Sequence, residues 1–186
     1  MDVRRWRLGG ISRALPVLLA CVTALMLPSR TVAQTDLEYQ VKAAFLLNFA
    51  KFVEWPSSAF TDSDSPIAIC ILGKDPFGRA IDDLVQGEAA DGRKLIVRRT
   101  SQLPAPQACQ VAFVEGSTKD VAKIVNGLGR GVLTVGEGGS FLREGGIIAF
   151  VIENRRVRFD INQTAAESAA LKLSSKLLSV ARSIEK

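Results

Sequence analysis

Apolar and polar positions follow two periods along this chain, and the changes of period mark its elements. Residues 37–53 (LEYQVKAAFLLNFAKFV) place Leu37, Val41, Ala44, Phe45, Asn48, Phe49 and Phe52 at helical spacing. Leu46, Leu47 and Val53 widen that stripe, which predicts a helix covered on most sides. Pro56 disfavours helical geometry at Trp55 and should end it there. Ile67–Leu72 is an apolar, β-branched run between Pro66 and Gly73 and reads as a buried strand. Asp75 is placed to cap a helix opening at Pro76 and running to about Gln86. Lys94–Arg99, Gln110–Val114 and Val132–Val135 read as further strands. Ser117 caps a helix to about Leu128, which Gly129 and Gly131 end. Ile147–Ile152 and Arg156–Ile161 read as a hairpin around Glu153-Asn154-Arg155. A long helix is expected over Thr164–Ser183, with Asn162 as its cap and Ala166, Ala169, Ala170, Leu173, Leu177, Val180 and Ile184 as its stripe.

Strands and helices alternate from 67 to 135, the pattern of a parallel sheet with helices on its faces. The expected fold class is α/β: a three-layer α/β/α sandwich with a mixed, largely parallel sheet of about six strands and a C-terminal helix. The chain contains no internal repeat and no low-complexity tract.

The first 33 residues are of a different kind. Arg4, Arg5 and Arg7 precede an apolar run from Leu15 to Leu27, and Thr31-Val32-Ala33 supplies compact residues before Gln34. That is the three-part pattern of a secretory signal peptide. The run is about 13 residues, short of the roughly 20 a spanning helix needs. Leu18-Leu19-Ala20-Cys21 resembles a lipoprotein cleavage box, but the apolar run continues past Cys21. Residues 1–33 are therefore read as a leader and 34–186 as one domain working outside the cytoplasm. The leader holds five of the 24 basic residues and one of the 19 acidic ones, so the remainder carries a net charge of +1. Little field survives to attract nucleic acid or an anionic surface. There is no histidine, which removes imidazole-based triads and His-ligated zinc. Cys70 and Cys109 are the cysteines left after the leader. An even count in an oxidising compartment favours a disulfide, closing a loop of about 40 residues worth about 4 kcal/mol. Two buried free thiols are the alternative.

No pattern requires a cofactor or a metal. Gly136-Glu137-Gly138-Gly139 matches neither dinucleotide nor Walker spacing and reads as a loop needing unusual backbone angles. Asp75, Asp82, Asp83 and Asp91 read as solvated charges. Phe141 and Leu142, between glycine pairs, read either as a core plug or as an anchor for a partner, with Arg143 beside them. Arg156 and Arg158 share one face of a strand, facing either solvent or a protein interface. These five residues are the candidate partner-binding set, and Cys70 with Cys109 the candidate disulfide. Without aromatic interleaving the arginines do not suggest nucleic acid.

Three blocks carry a family resemblance: Lys42-Ala43-Ala44-Phe45-Leu46-Leu47-Asn48-Phe49 through Phe52, Trp55 and Pro56; Phe141-Leu142-Arg143-Glu144-Gly145-Gly146 with Ile148, Phe150, Val151, Arg156, Phe159, Ile161 and Asn162; and Ala165-Ala166 with Leu171 to Leu178. In this order they resemble YfiR-type periplasmic proteins across nearly all of residues 34–186. The resemblance implies a periplasmic repressor that restrains the sensing domain of an inner-membrane diguanylate cyclase of the YfiN type. It also implies an OmpA-like outer-membrane lipoprotein of the YfiB type that can sequester the repressor, after which cyclic di-GMP and biofilm formation rise. An α/β fold that tends to form homodimers, and a stabilising Cys70–Cys109 disulfide, are implied as well. A second cysteine pair that the family can place near residues 141–152 is absent here. Beside this non-enzymatic reading stands a periplasmic small-molecule-binding module. Its pocket would lie at the carboxyl ends of the parallel strands, lined by Gly73–Phe77, Glu115–Thr118 and Gly136–Gly139.

Overall fold

The structure is a computed structural model that describes residues 30–116 and 120–186. The leader's apolar run and the expected cap Ser117 lie outside the described residues. Thr35–Lys186 forms one compact unit, entered by a helix that begins at Arg30.

That helix, α1, spans Arg30–Phe52. Its core side is Ala43, Leu46, Leu47, Phe49 and Ala50, with Lys42 buried among them. The stripe expected from the sequence is corrected here, since Leu37 is 60% and Val41 38% exposed and Asn48 is exposed. The helix is apolar on two sides, so period alone did not decide which one the sheet takes. A two-residue strand β1 (Val53–Glu54) and a single 3-10 turn (Ser57–Ala59) follow.

The main sheet is built from β2 (Ile67–Leu72), β3 (Ala89–Ala90), β4 (Arg93–Thr100), β5 (Val111–Val114), β6 (Leu133–Glu137), β7 (Ile148–Glu153), β8 (Arg156–Asn162) and β10 (Ser183–Glu185). Their spatial order is β10-β8-β7-β6-β5-β2-β4-β3. The five strands from β7 to β4 run parallel, β8 runs antiparallel to β7 and β3 antiparallel to β4, and β10 lies parallel to β8. The fold is α/β with a mixed, mostly parallel sheet, as expected. The eight strands exceed the expected six because two short edge strands, β3 and β10, carry no hydrophobic period of their own.

Helices cover both faces. Ile67, Ile69, Ile71, Phe113, Val135, Phe150 and Phe159 point to the side of α1, where α2 (Arg79–Val85) contributes Ile81 and Val85. Ala68, Cys70, Leu72 and Ala112 point the other way, toward Leu128 of α3 (Val121–Leu128). Val114 and Ala149 meet Phe141 and Leu142 of the one-turn helix α4 (Gly139–Arg143). Asp75 does not cap α2. Its Oδ1 accepts from the backbone N–H of Phe77 (2.7 Å) and Gly78 (3.2 Å), turning the chain before the helix starts.

The hairpin turn has positive φ at Asn154 (50°) and Arg155 (60°), the geometry whose twist matches the flanking strands. The long C-terminal helix is not formed. Asn162 does cap, its Oδ1 accepting from the Ala165 N–H at 2.8 Å, but α5 ends at Ser168 (Gln163–Ser168). Ala170 takes φ +58°, and β9 (Lys172–Leu173) pairs with β1. Ser174 then caps α6 (Ser175–Val180), its Oγ accepting from the Leu177 N–H at 3.2 Å. Arg182 locks the tail, donating from its backbone N–H to the Phe159 carbonyl (2.8 Å) and from Nε to Asp160 (2.7 Å). Open strand edges at β1 and β8 offer this backbone ladder partners, which outcompete a locally permissible helix.

The glycine pairs around α4 have a packing reason. A Cβ on Gly136 would sit 2.4 Å from the Phe141 ring, and one on Gly146 2.1 Å from it. The ring therefore lies against bare backbone on both sides. Gly146→Ala should cost about 1–3 kcal/mol by overpacking, read as a lower urea midpoint at unchanged slope. An unchanged midpoint would refute the close packing.

Candidate functional site

Because β2, β5 and β6 are parallel neighbours, their carboxyl ends meet at one edge of the sheet. Glu137 ends β6 there. A crevice of about 470 Å³ opens beside it, lined by Val114, Gly116, Asp120, Val121, Glu137, Ser140 and Glu144 among others. Of the three loops expected to form a pocket, the one after β5 and the one after β6 reach this crevice. The segment after β2 turns inward. Phe77 is buried and packs its ring edge-on against Phe113 (4.8 Å) and Tyr39 (5.5 Å).

Behind the crevice sits a charged cluster that periodicity did not reveal. Lys42 of α1 is 3% exposed and donates to Glu137 at 2.5 Å and to Glu38 one turn earlier. Its ammonium also lies 4.4 Å from the Tyr39 ring centroid. Burial pulls the Lys42 pKa down, but the hydrogen bonds to Glu137 and Glu38 outweigh it and hold the group above its ordinary value. The charge is therefore complete at neutral pH, and the stability that its protonation carries is lost as pH rises through the raised, alkaline pKa. Burial and the neighbouring Glu137 carboxylate raise the Tyr39 phenol as well. One end of the cluster was legible, since Glu38 and Lys42 stand four apart on a helix. Glu137 lies 95 residues away from Lys42.

The candidate partner residues divide. Phe141 and Leu142 are 4% and 2% exposed and pack against Val114 and Ala149 in the core. Arg143 is exposed on α4, Arg156 is exposed and Arg158 is half-buried. Cross-strand pairing of Val151 with Arg158 and of Ala149 with Asp160 puts Arg156 and Arg158 on the face that α4 covers. Among the described residues, none of these three arginines has a carboxylate within ion-pair distance, whereas Asp160 on the same face is taken by Arg182. Arg143 on α4 and Arg156 and Arg158 on β8 are therefore cations without an ion-pair partner among the described residues.

Cys70 and Cys109 are bonded, with Cα atoms 5.8 Å apart. The bridge staples β2 to the start of β5 and is buried (1% and 3% exposed). Beside it, Gln110 is 1% exposed yet every polar group is satisfied. Its Oε1 accepts from the Ala68 N–H (2.9 Å), and its Nε2 donates to the Ala59 carbonyl (2.7 Å) and the Gln107 carbonyl (3.1 Å). Its own carbonyl accepts from the Trp55 indole (3.2 Å) and the Leu133 N–H (2.8 Å). Replacing both cysteines by Ala should remove up to about 4 kcal/mol of stability while leaving the far-ultraviolet circular dichroism intact. A melting temperature that does not fall would show that the bridge constrains nothing.

No described helix is long and apolar enough to cross a membrane, and no group of three or more metal-ligating side chains is found among the described residues. The family described as YfiR/HmsC-like (DUF4154) matches residues 39–182. The chain belongs to that family, which is regulatory rather than catalytic and periplasmic, and is associated with cyclic di-GMP signalling. Among solved structures, a conserved domain protein from Vibrio cholerae O1 biovar El Tor is 13% identical with a TM-score of 0.45. The match covers 63% of this chain and 54% of that one, so just over half of that protein's length is represented here. No curated protein matches the chain.

Proposed function

We propose that this protein is a periplasmic repressor. It would bind the periplasmic sensor domain of a YfiN-type inner-membrane diguanylate cyclase and be drawn off by a YfiB-type outer-membrane lipoprotein. Its leader, residues 1–33, would be removed on export. The family match over residues 39–182 carries the reading. The unpaired arginines Arg143, Arg156 and Arg158 support it, because cations without intramolecular partners can accept an acidic surface at little desolvation cost. A regulator of this kind works only by binding one state of its target better than another. In cells producing the cyclase, loss of this chain should raise cyclic di-GMP. The pair Arg156→Glu and Arg158→Glu should reproduce that rise without lowering the melting temperature. Cyclic di-GMP that stays level when the chain is deleted would end this reading.

The crevice at the carboxyl edge favours a second reading, a small-molecule-binding module. Its volume of about 470 Å³ falls in the range of ligand pockets. The two are compatible if an occupant tunes repression. A bound metabolite should raise the melting temperature by mass action, and Glu137→Gln should weaken that rise. A metabolite library that shifts the melting of neither the unaltered protein nor the variant would remove this reading.

A further inference from the structure

The crevice at the carboxyl edge carries charge of one sign. Asp120, Glu137 and Glu144 line it, and among the described residues no lysine or arginine does. Asp120 and Glu144 are exposed, and neither has a cation within ion-pair distance among the described residues. Asp120 stands at the N-cap of α3, yet its side chain accepts no capping hydrogen bond. Its carboxylate offsets the positive end of that helix and keeps its oxygens unengaged. Glu137 divides its two oxygens. Oε1 accepts from Lys42 behind the crevice, while Oε2 lies over Gly116, 3.6 Å from where a Cβ would stand, and Gly116 is part of the crevice wall.

These charges do not converge on one point. Among the described residues no group of three or more acidic, histidine or cysteine side chains is placed to hold a metal ion, and a hard divalent cation needs about six oxygens at roughly 2–2.6 Å. The arrangement suits positive charges carried apart on one flexible body. Between the carboxylates the wall is apolar, supplied by Val114, Val121 and Phe141, the kind of surface that methylene groups leave water to cover. A volume of about 470 Å³ gives room for a short chain of that kind.

We propose that the crevice takes a linear aliphatic polyamine, its protonated nitrogens set against Asp120, Glu137 and Glu144 and its methylenes along Val121 and Phe141. The inference rests on the small-molecule reading above and narrows it to one class of ligand. Alkyl ammonium groups like that of lysine are charged at neutral pH. Each ion pair in an open crevice contributes little alone, so affinity is set by the number of charges and by the ionic strength.

Calorimetric titration of the exported protein with butylamine, putrescine and spermidine tests this. Affinity should rise about threefold with each added ammonium, and that for spermidine should fall as sodium chloride increases. Asp120→Asn combined with Glu144→Gln should weaken spermidine binding about tenfold, at an unchanged melting temperature of the unliganded protein. Both side chains are exposed, and Glu137 is left intact because it holds Lys42. Asp64→Asn, an exposed carboxylate on the loop before β2 at the opposite edge of the sheet, should change nothing. An equal loss from Asp64→Asn, or equal affinity for all three amines, would reduce the effect to general attraction of cations and overturn the proposal. Magnesium ion binding more tightly than spermidine would assign the crevice to a metal and overturn it equally. Absence of spermidine binding, together with a melting shift from an uncharged or anionic metabolite that Glu137→Gln abolishes, would overturn the polyamine and leave the small-molecule reading standing. Absence of any response to spermidine or to the metabolite library would remove both.

Discussion

Strand β2 is dry on both faces, and the layers of the fold are arranged around that fact. Every residue from Ile67 to Leu72 is at most 4% exposed, and its hydrogen-bonding edges are taken by β4 and β5. A parallel strand in this position needs a helical layer above and below it. The isoleucines demand the aromatic side of α1, where Phe45, Phe49, Phe150 and Phe159 interlock at centroid distances of 5.0–6.0 Å. The smaller Ala68 and Cys70 demand a thinner cover, which α3 and the disulfide supply. The split of side-chain size across one strand thus decides which helix lies on which face.

Two polar side chains fix how those layers register. Gln110 joins β2, the 3-10 turn and, through its backbone, Trp55 and β6 at a point with no access to water. Lys42 joins α1 to the end of β6. A buried polar group left unpaired costs about 1–3 kcal/mol, so each is satisfied in only one docking of the helix or loop it belongs to. Hydrophobic burial alone would tolerate small slips of α1 along the sheet, whereas these bonds select one position. They also set α1 and the Glu137 edge of the crevice in a fixed relation to the sheet.

The parts legible in the sequence are those whose signal is local. The run Ile67–Leu72 was bounded on both sides by breakers and matches β2 residue for residue. The hairpin at Asn154-Arg155 was readable from alternation on either side of a turn pair. The C-terminal region was not readable, because Lys172–Leu173 and Ser183–Glu185 become strands only when the distant edges of β1 and β8 are in place. For the same reason Phe141 and Leu142 could be read as plug or anchor. What settles them is the pair of bare glycine backbones at Gly136 and Gly146, and that contact is tertiary. Lys42 hid inside an apolar helix because its second carboxylate comes from a different strand.

A regulator gains from putting its rigid and its adaptable surfaces in different places. Here the disulfide, Gln110 and α3 stiffen the face behind β2 and β5. The crevice and α4 lie on that same face but at the carboxyl edge of the sheet, where Glu137 reaches round to the side of α1. Glu137 lines that edge and is also the carboxylate that holds Lys42 and so α1. An event at the edge therefore has a direct mechanical route to that helix. The route consists of a single charged contact between two secondary elements, which is the kind of link that one competing cation or one substituted side chain can open.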